Sequence, residues 1–287
     1  MESAFTEEEK RWRIIKFKVL EQQIETAFKF FRQNEIEPIL LKGWAISRKY
    51  PEKYQRFFSD IDLAVAPEVY ERASELVEKN QLLIDLHCGL RQLDKVEWKD
   101  LYANSALVKL NDTDIRILSE EDHLRVLCVH WLIDGGAYRE KLWDIFYAVE
   151  HRAKSFDWEK CLGVVSLKRR LWIIYTIGLA HKYLNLNIKE LPFEAEAAQI
   201  PKWLIKTVEC EWKSSVRLRP IHTCLNDWRE VLRQIIKRIP PNPIQATVES
   251  EGAFDSGTRI KYQIRSLISR IMPSVKRVAK VISLRKR

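Results

Sequence analysis

The sequence predicts an α+β protein, with an α/β front third, an all-helical middle and a basic tail. Three observations carry this expectation. Short apolar runs of strand length recur before residue 118. Apolar residues at helical spacing dominate from 119 to 239. Pro240-Pro241-Asn242-Pro243 then closes the helical stretch. The expected divisions are 1–118, 119–239 and 240–287, and 287 residues suffice for one large domain or two modest ones. Eight glycines are too few for a loop-rich β protein.

Thr6-Glu7-Glu8-Glu9 reads as a capping box opening a long helix. Ile14, Phe17, Leu20, Ile24, Phe28 and Phe31 carry that helix to about Gln33. Pro38 to Leu41 is a short apolar strand that Gly43 interrupts, and Trp44 to Tyr50 suits a short helix. Ile61 to Val65 is a second strand, and Pro67 suits the first turn of a helix running to about Lys79. Leu82 to His87 is a third strand. Ser105 to Leu110 and Ile115 to Leu118, joined by Asn111-Asp112-Thr113-Asp114, look like a hairpin. Ser119-Glu120-Glu121-Asp122 caps a helix with Leu124, Leu127, Val129 and Leu132, and Gly135-Gly136 ends it. Further helices are expected over 142–151, 158–165, 171–184, 202–212 and 223–238, with tryptophans 131, 143, 172, 203, 212 and 228 in the core.

Apolar residues make up 46% and charged residues 31%, the profile of a soluble globular chain. No apolar run reaches the roughly 18 residues that span a bilayer, and the N-terminus is acidic rather than signal-like. The five cysteines include no CxxC pair, which excludes a zinc ribbon and fits reduced thiols in a cytoplasm. The net charge of +9 is unevenly placed: from Gly257 on there are ten Lys or Arg and no acid, so the preceding body is near neutral. Within that tail Ile260, Ile264, Leu267, Ile268 and Ile271 form a helical stripe, with Arg259, Lys261, Arg265 and Arg270 off it; Val275, Val278, Ala279 and Ile282 repeat the pattern. Such a tail suits an anionic membrane surface, RNA phosphates or packing against protein.

The chemistry concentrates in Ser59-Asp60-Ile61-Asp62-Leu63. Asp60 and Asp62 stand two apart on a strand, so their carboxylates leave the same face. At 4 Å and an effective dielectric near 20 their repulsion would be roughly 4 kcal/mol, which a divalent cation offsets. Hard cations such as Mg²⁺ take oxygen ligands, commonly carboxylates plus substrate phosphates. A DxD pair also occurs on solvated strand ends, but its context adds to it. Leu40-Leu41-Lys42-Gly43 is a strand ending where backbone amides could approach a triphosphate. Asp85 interrupts another apolar strand, where an acid is costly unless paired or metal-bound, and His87 shares its face. Three acids on two strands beside a glycine turn suit two-metal phosphoryl chemistry. His123 and His130, seven apart on one helix, lack further ligands and read as core or interhelical hydrogen-bonding groups.

The segments Leu40-Leu41-Lys42-Gly43-Trp44-Ala45, Arg56 to Val65, and Ile84-Asp85-Leu86-His87 resemble the uncharacterised bacterial nucleotidyltransferase family of the polymerase-β-like superfamily. The likeness covers about residues 35–150, with His130 and Asp144 as weaker points of similarity. It implies a small mixed β-sheet with flanking helices, two Mg²⁺ ions (Mn²⁺ as a substitute), and transfer of a nucleoside monophosphate from an NTP to a hydroxyl acceptor. The acceptor could be a small molecule, a saccharide, a protein or tRNA. Carried over, Asp60 and Asp62 ligate metal, Asp85 is the third carboxylate that helps activate the acceptor, Lys42 and Gly43 lie at the phosphates, and Arg56 neutralises phosphate charge. His87 would order the site from behind. The sequence departs from the superfamily in placing Trp44 after Gly43, where Ser or Gly is usual. That departure supports a rival reading, a non-catalytic binding module on the same fold; a phosphotransferase on the same scaffold is a third.

Overall fold

The computed structural model describes residues 5–224, 226–255 and 257–270. Residues up to Leu127 together with Trp143–Val165 form one compact unit; Cys128–Leu142 together with the described residues from Ser166 on form a second.

The first unit begins with α1 (Glu7–Gln33), which Thr6 and Glu9 cap reciprocally as the sequence suggests. β1 (Ile39–Leu40), α2 (Gly43–Ser47), β2 (Ile61–Val65), α3 (Tyr70–Lys79) and β3 (Ile84–Cys88) follow. Next come α4 (Trp98–Asn104), β4 (Ala106–Leu110) and β5 (Thr113–Ile117). The strands form one mixed sheet in the order β3-β2-β1-β5-β4. β1 is antiparallel to β2, β4 is antiparallel to β5, and β2–β3 and β1–β5 are parallel. The β2–β3 pairing follows from α3, since parallel neighbours need a crossover and a helix supplies it. Phe17, Ile24, Phe28 and Phe31 of α1 pack with Trp44, Leu63, Val65 and Ile115 in the core. Each such fully buried side chain contributes about 1.5–3 kcal/mol. The sequence did not suggest α4, whose seven residues bury only Leu101 and so carry little periodicity.

α5 (Glu120–Ile133), α6 (Leu142–Glu150) and α7 (Trp158–Leu162) open the helical region. α8 (Leu167–Leu184), α9 (Glu194–Ala198), α10 (Lys202–Lys213), α11 (Trp228–Arg238) and α12 (Pro243–Glu249) belong to the second unit, and residues 260–270 are also helical. Phe254 is buried among the rings of Trp172, Tyr175 and Trp203, whose indoles donate to Gly252 O and Phe254 O at 3.0 Å. Two expectations change here. The proline cluster does not end regular structure, because Asn242 caps α12 and Pro243 occupies its first turn, where a missing N–H costs nothing. Trp228 is not core: it is 70% exposed. The stretch expected from Val275 to Ile282 lies outside the described residues.

Candidate active site

β2 is buried along its whole length, and Asp62 sits inside it at 5% exposure. An ionised carboxylate there is costly unless its charge is compensated. Lys42 Nζ lies 2.8 Å from Asp62 Oδ1, and His87 Nε2 lies 3.2 Å from the same oxygen. Burial pushes the Asp62 carboxyl up, but the His87 hydrogen bond and the Lys42 charge outweigh it, and the group titrates below its ordinary range.

β3 brings in the second carboxylate. Asp85 is the register partner of Asp62, so the two leave the same face, and His87 shares it two residues on. His87 Nε2 stands 3.5 Å from Asp85 Oδ2. One ligand atom from each of Asp62, Asp85 and His87 lies within 4.8 Å of the others. Asp85, with 62% of its side chain exposed, is the member open to solvent.

Lys42 reaches Asp62 through the turn that ends β1. The Leu41 amide donates to Asp62 O at 2.9 Å, and the chain then turns through Lys42 (φ 44°) and Gly43 (φ 37°) into α2. A lysine held at φ 44° and ψ −143° is strained by about 1–3 kcal/mol, and strain of this kind concentrates at functional sites. At Gly43 a Cβ would meet Phe58 Cδ2 at 3.2 Å, so both space and φ favour glycine. Trp44 points away into the core, where its indole donates to Glu21 Oε1 at 2.8 Å.

The structure thus gathers Lys42, Gly43, Asp62, Asp85 and His87. Asp60 is exposed, one residue before β2, and lies outside the three-residue group while standing in the field of Arg56. Arg56 is pinned: its Nε donates to Asp144 Oδ1 at 2.6 Å and its Nη1 to Phe57 O. Tyr50 donates to the same Asp144 oxygen at 2.7 Å, and burial with Asp144 holds its phenol far above the usual range. Asp144, a weaker point of the family resemblance, orients Arg56.

Sequence reasoning missed a second buried cluster. Arg125 donates through Nε to Asp94 Oδ2 at 2.8 Å and through Nη2 to Asp122 Oδ1 at 2.5 Å, and it reaches Lys160 O and Cys161 O. The available signal was a lone arginine in the apolar stretch Leu124 to Val129. His123, two residues before Arg125, is buried with Nε2 unpartnered; burial, assisted by Lys49, Arg48 and Lys42, pushes its pKa down to about 3. A groove of about 600 Å³, lined by Pro67, Gly89, Arg91, Lys95 and Trp98, begins just past the ends of β2 and β3.

The donor set suits a divalent cation. Asp62 and Asp85 offer carboxylate oxygens on one face, His87 an imidazole nitrogen, and Lys42 cancels only one of the two negative charges. Carboxylates suit Mg²⁺ and Mn²⁺, while the imidazole favours softer ions than Mg²⁺.

Residues 10–81 match the model of a family described as uncharacterised nucleotidyltransferase. The matched stretch contains Lys42, Gly43, Arg56, Asp60 and Asp62; Asp85 and His87 follow just beyond it. No curated protein and no solved structure matches the chain significantly. The similarity supports a transferase of the nucleotidyltransferase kind.

Proposed function

We propose that this chain is a divalent-metal-dependent nucleotidyltransferase, which moves a nucleoside monophosphate from an NTP to a hydroxyl acceptor. The observation that carries the reading is the meeting of Asp62, Asp85 and His87 beside the strained Lys42-Gly43 turn. Asp62 and Asp85, with Asp60 at the mouth, would hold Mg²⁺ or Mn²⁺, which neutralises phosphate charge and acidifies a bound hydroxyl. The Lys42-Gly43 backbone receives the triphosphate, and Lys42 lends positive charge as negative charge moves to the leaving group. Arg56, oriented by Asp144, adds to that field. The acceptor oxygen attacks the α-phosphorus, its proton passes to the exposed Asp85, and the α–β bridging P–O bond breaks to release pyrophosphate. His87 Nε2 hydrogen-bonds Asp62 and stands beside Asp85, ordering the two carboxylates. The basic tail from Gly257 is assigned an anionic partner.

The test follows two labels. Incubation with α-labelled NTP, Mg²⁺ and a panel of small-molecule, saccharide, protein and tRNA acceptors should move label to one acceptor class and release pyrophosphate. Transfer of the γ-label instead would assign a phosphotransferase. Metal-independent nucleotide binding without transfer would assign a binding module.

A further inference from the structure

α11 is folded with its polar side inward. Gln234 is fully buried, accepting from the Arg219 amide and donating to Arg217 O, both at 2.9 Å. Trp228, Leu232, Ile235, Ile236 and Ile239 all face solvent, at 40–70% exposure. At 100° per residue these five positions fall within about a 100° arc. Arg229 and Arg233 border the arc on one side, and both are exposed. Among the described residues of the second unit nothing covers the stripe, and a lone helix does not turn its apolar face to water without reason.

Residues 260–270 repeat the arrangement. Ser266 is the buried position and donates to Glu249 Oε2 at 3.0 Å, whereas Ile260, Ile264 and Ile268 are 54–65% exposed. Lys261 and Arg265 stand one residue after Ile260 and Ile264, as Arg229 and Arg233 stand one residue after Trp228 and Leu232. The two helices lie close together: Gln263 Nε2 donates to Pro241 O at 2.7 Å, just after α11, and Arg238 feels the charge of Arg270. No helix among the described residues is long and apolar enough to cross a membrane.

We propose that α11 and residues 260–270 form one membrane-contact surface, which lies in the interface of an anionic bilayer. Aliphatic side chains and Trp228 enter the acyl boundary, and the bordering Arg and Lys meet lipid headgroups. The residues from Gly257 on, with ten cations and no acid, extend the attraction. A nucleic-acid surface would need the cations but not eight outward-facing apolar side chains. A second copy of the chain would set Arg229, Arg233, Lys261 and Arg265 against the same charges.

The test is flotation of the full chain with vesicles of phosphatidylcholine alone and of phosphatidylcholine with one third phosphatidylserine. Binding is expected to the mixed vesicles only, weakening at least tenfold as salt rises from low to about 0.5 M, where the Debye length falls to a few ångströms. The exposed-site variants Ile236→Asp and Ile264→Asp, and the pair Arg233→Ser with Arg265→Ser, should each lose tenfold or more while keeping the wild-type melting temperature. Overturning results are equal binding with and without Ile236→Asp and Ile264→Asp, binding to single-stranded RNA but not vesicles, or a dimer that Ile236→Asp dissociates and that shows no vesicle binding.

Discussion

Asp62 and Asp85 face each other as register partners across two parallel strands, yet one is 5% exposed and the other opens to solvent. The pair is therefore split in setting. Asp62 is an anchored charge, held by Lys42 and His87, and Asp85 is the carboxylate open to solvent.

This split separates stability from activity. Asp62→Asn leaves Lys42 buried without its counter-charge and should cost about 3–5 kcal/mol in denaturant unfolding. Asp85→Asn, at an exposed position, should stay within about 0.5 kcal/mol of wild type. Both should lower nucleotidyl transfer by at least a hundredfold.

Two buried groups contribute to the acid limb of stability. His123, pushed down to about 3, is neutral in the fold but takes a proton in the unfolded chain near 6.5. Its share of stability is complete above about 6.5 and is lost as pH falls toward 3, with a slope of at most about 1.4 kcal/mol per pH unit. Asp62, held below its ordinary range, adds stability above about 3.9 that disappears as pH falls through its folded pKa. Unfolding free energies between pH 4.5 and 6.5 should lose most of their slope in His123→Leu and keep it in Asp62→Asn.

Gly43→Ala tests the phosphate-binding role proposed for the Lys42-Gly43 turn. Left-handed backbone alone should cost about 1–2 kcal/mol, and Phe58 must give way to the new Cβ. NTP affinity should fall more than tenfold while the melting temperature drops by a few degrees; unchanged affinity would remove this turn from the site.

The sheet strands, α1 and its capping box were legible because each carries a strong local signal: unbroken apolar runs, a reciprocal Thr6–Glu9 pair, and helical spacing of Phe17, Ile24, Phe28 and Phe31. The sequence drew attention to Asp62, Asp85 and His87 as polar residues set in apolar strands and to Lys42 in the turn after β1, while Asp60, expected to pair with Asp62, lies outside the three-residue group. What sequence could not show was pairing across space. Arg56 meets Asp144 across 88 residues, and Arg125 meets Asp94 across 31. Trp228 misled because helical spacing reveals a stripe and not which side of it faces the protein.

Arg125 gives a prediction of its own. Arg125→Met would leave Asp94 and Asp122 buried without their cation, at a cost of about 3–5 kcal/mol in denaturant unfolding. Arg125→Lys keeps the charge but loses the fork, and should fall between the two.

The central claim is that Asp62 and Asp85 bind nucleotide through a divalent cation. Calorimetric titration of NTP into the full chain tests it directly, with Mg²⁺, with Mn²⁺ and with chelator. Binding is expected with either ion, none with chelator, and metal-dependent binding should be lost in Asp85→Asn, which stays folded. Equal affinity with chelator, or undiminished Mg²⁺-dependent binding in Asp85→Asn, would contradict it.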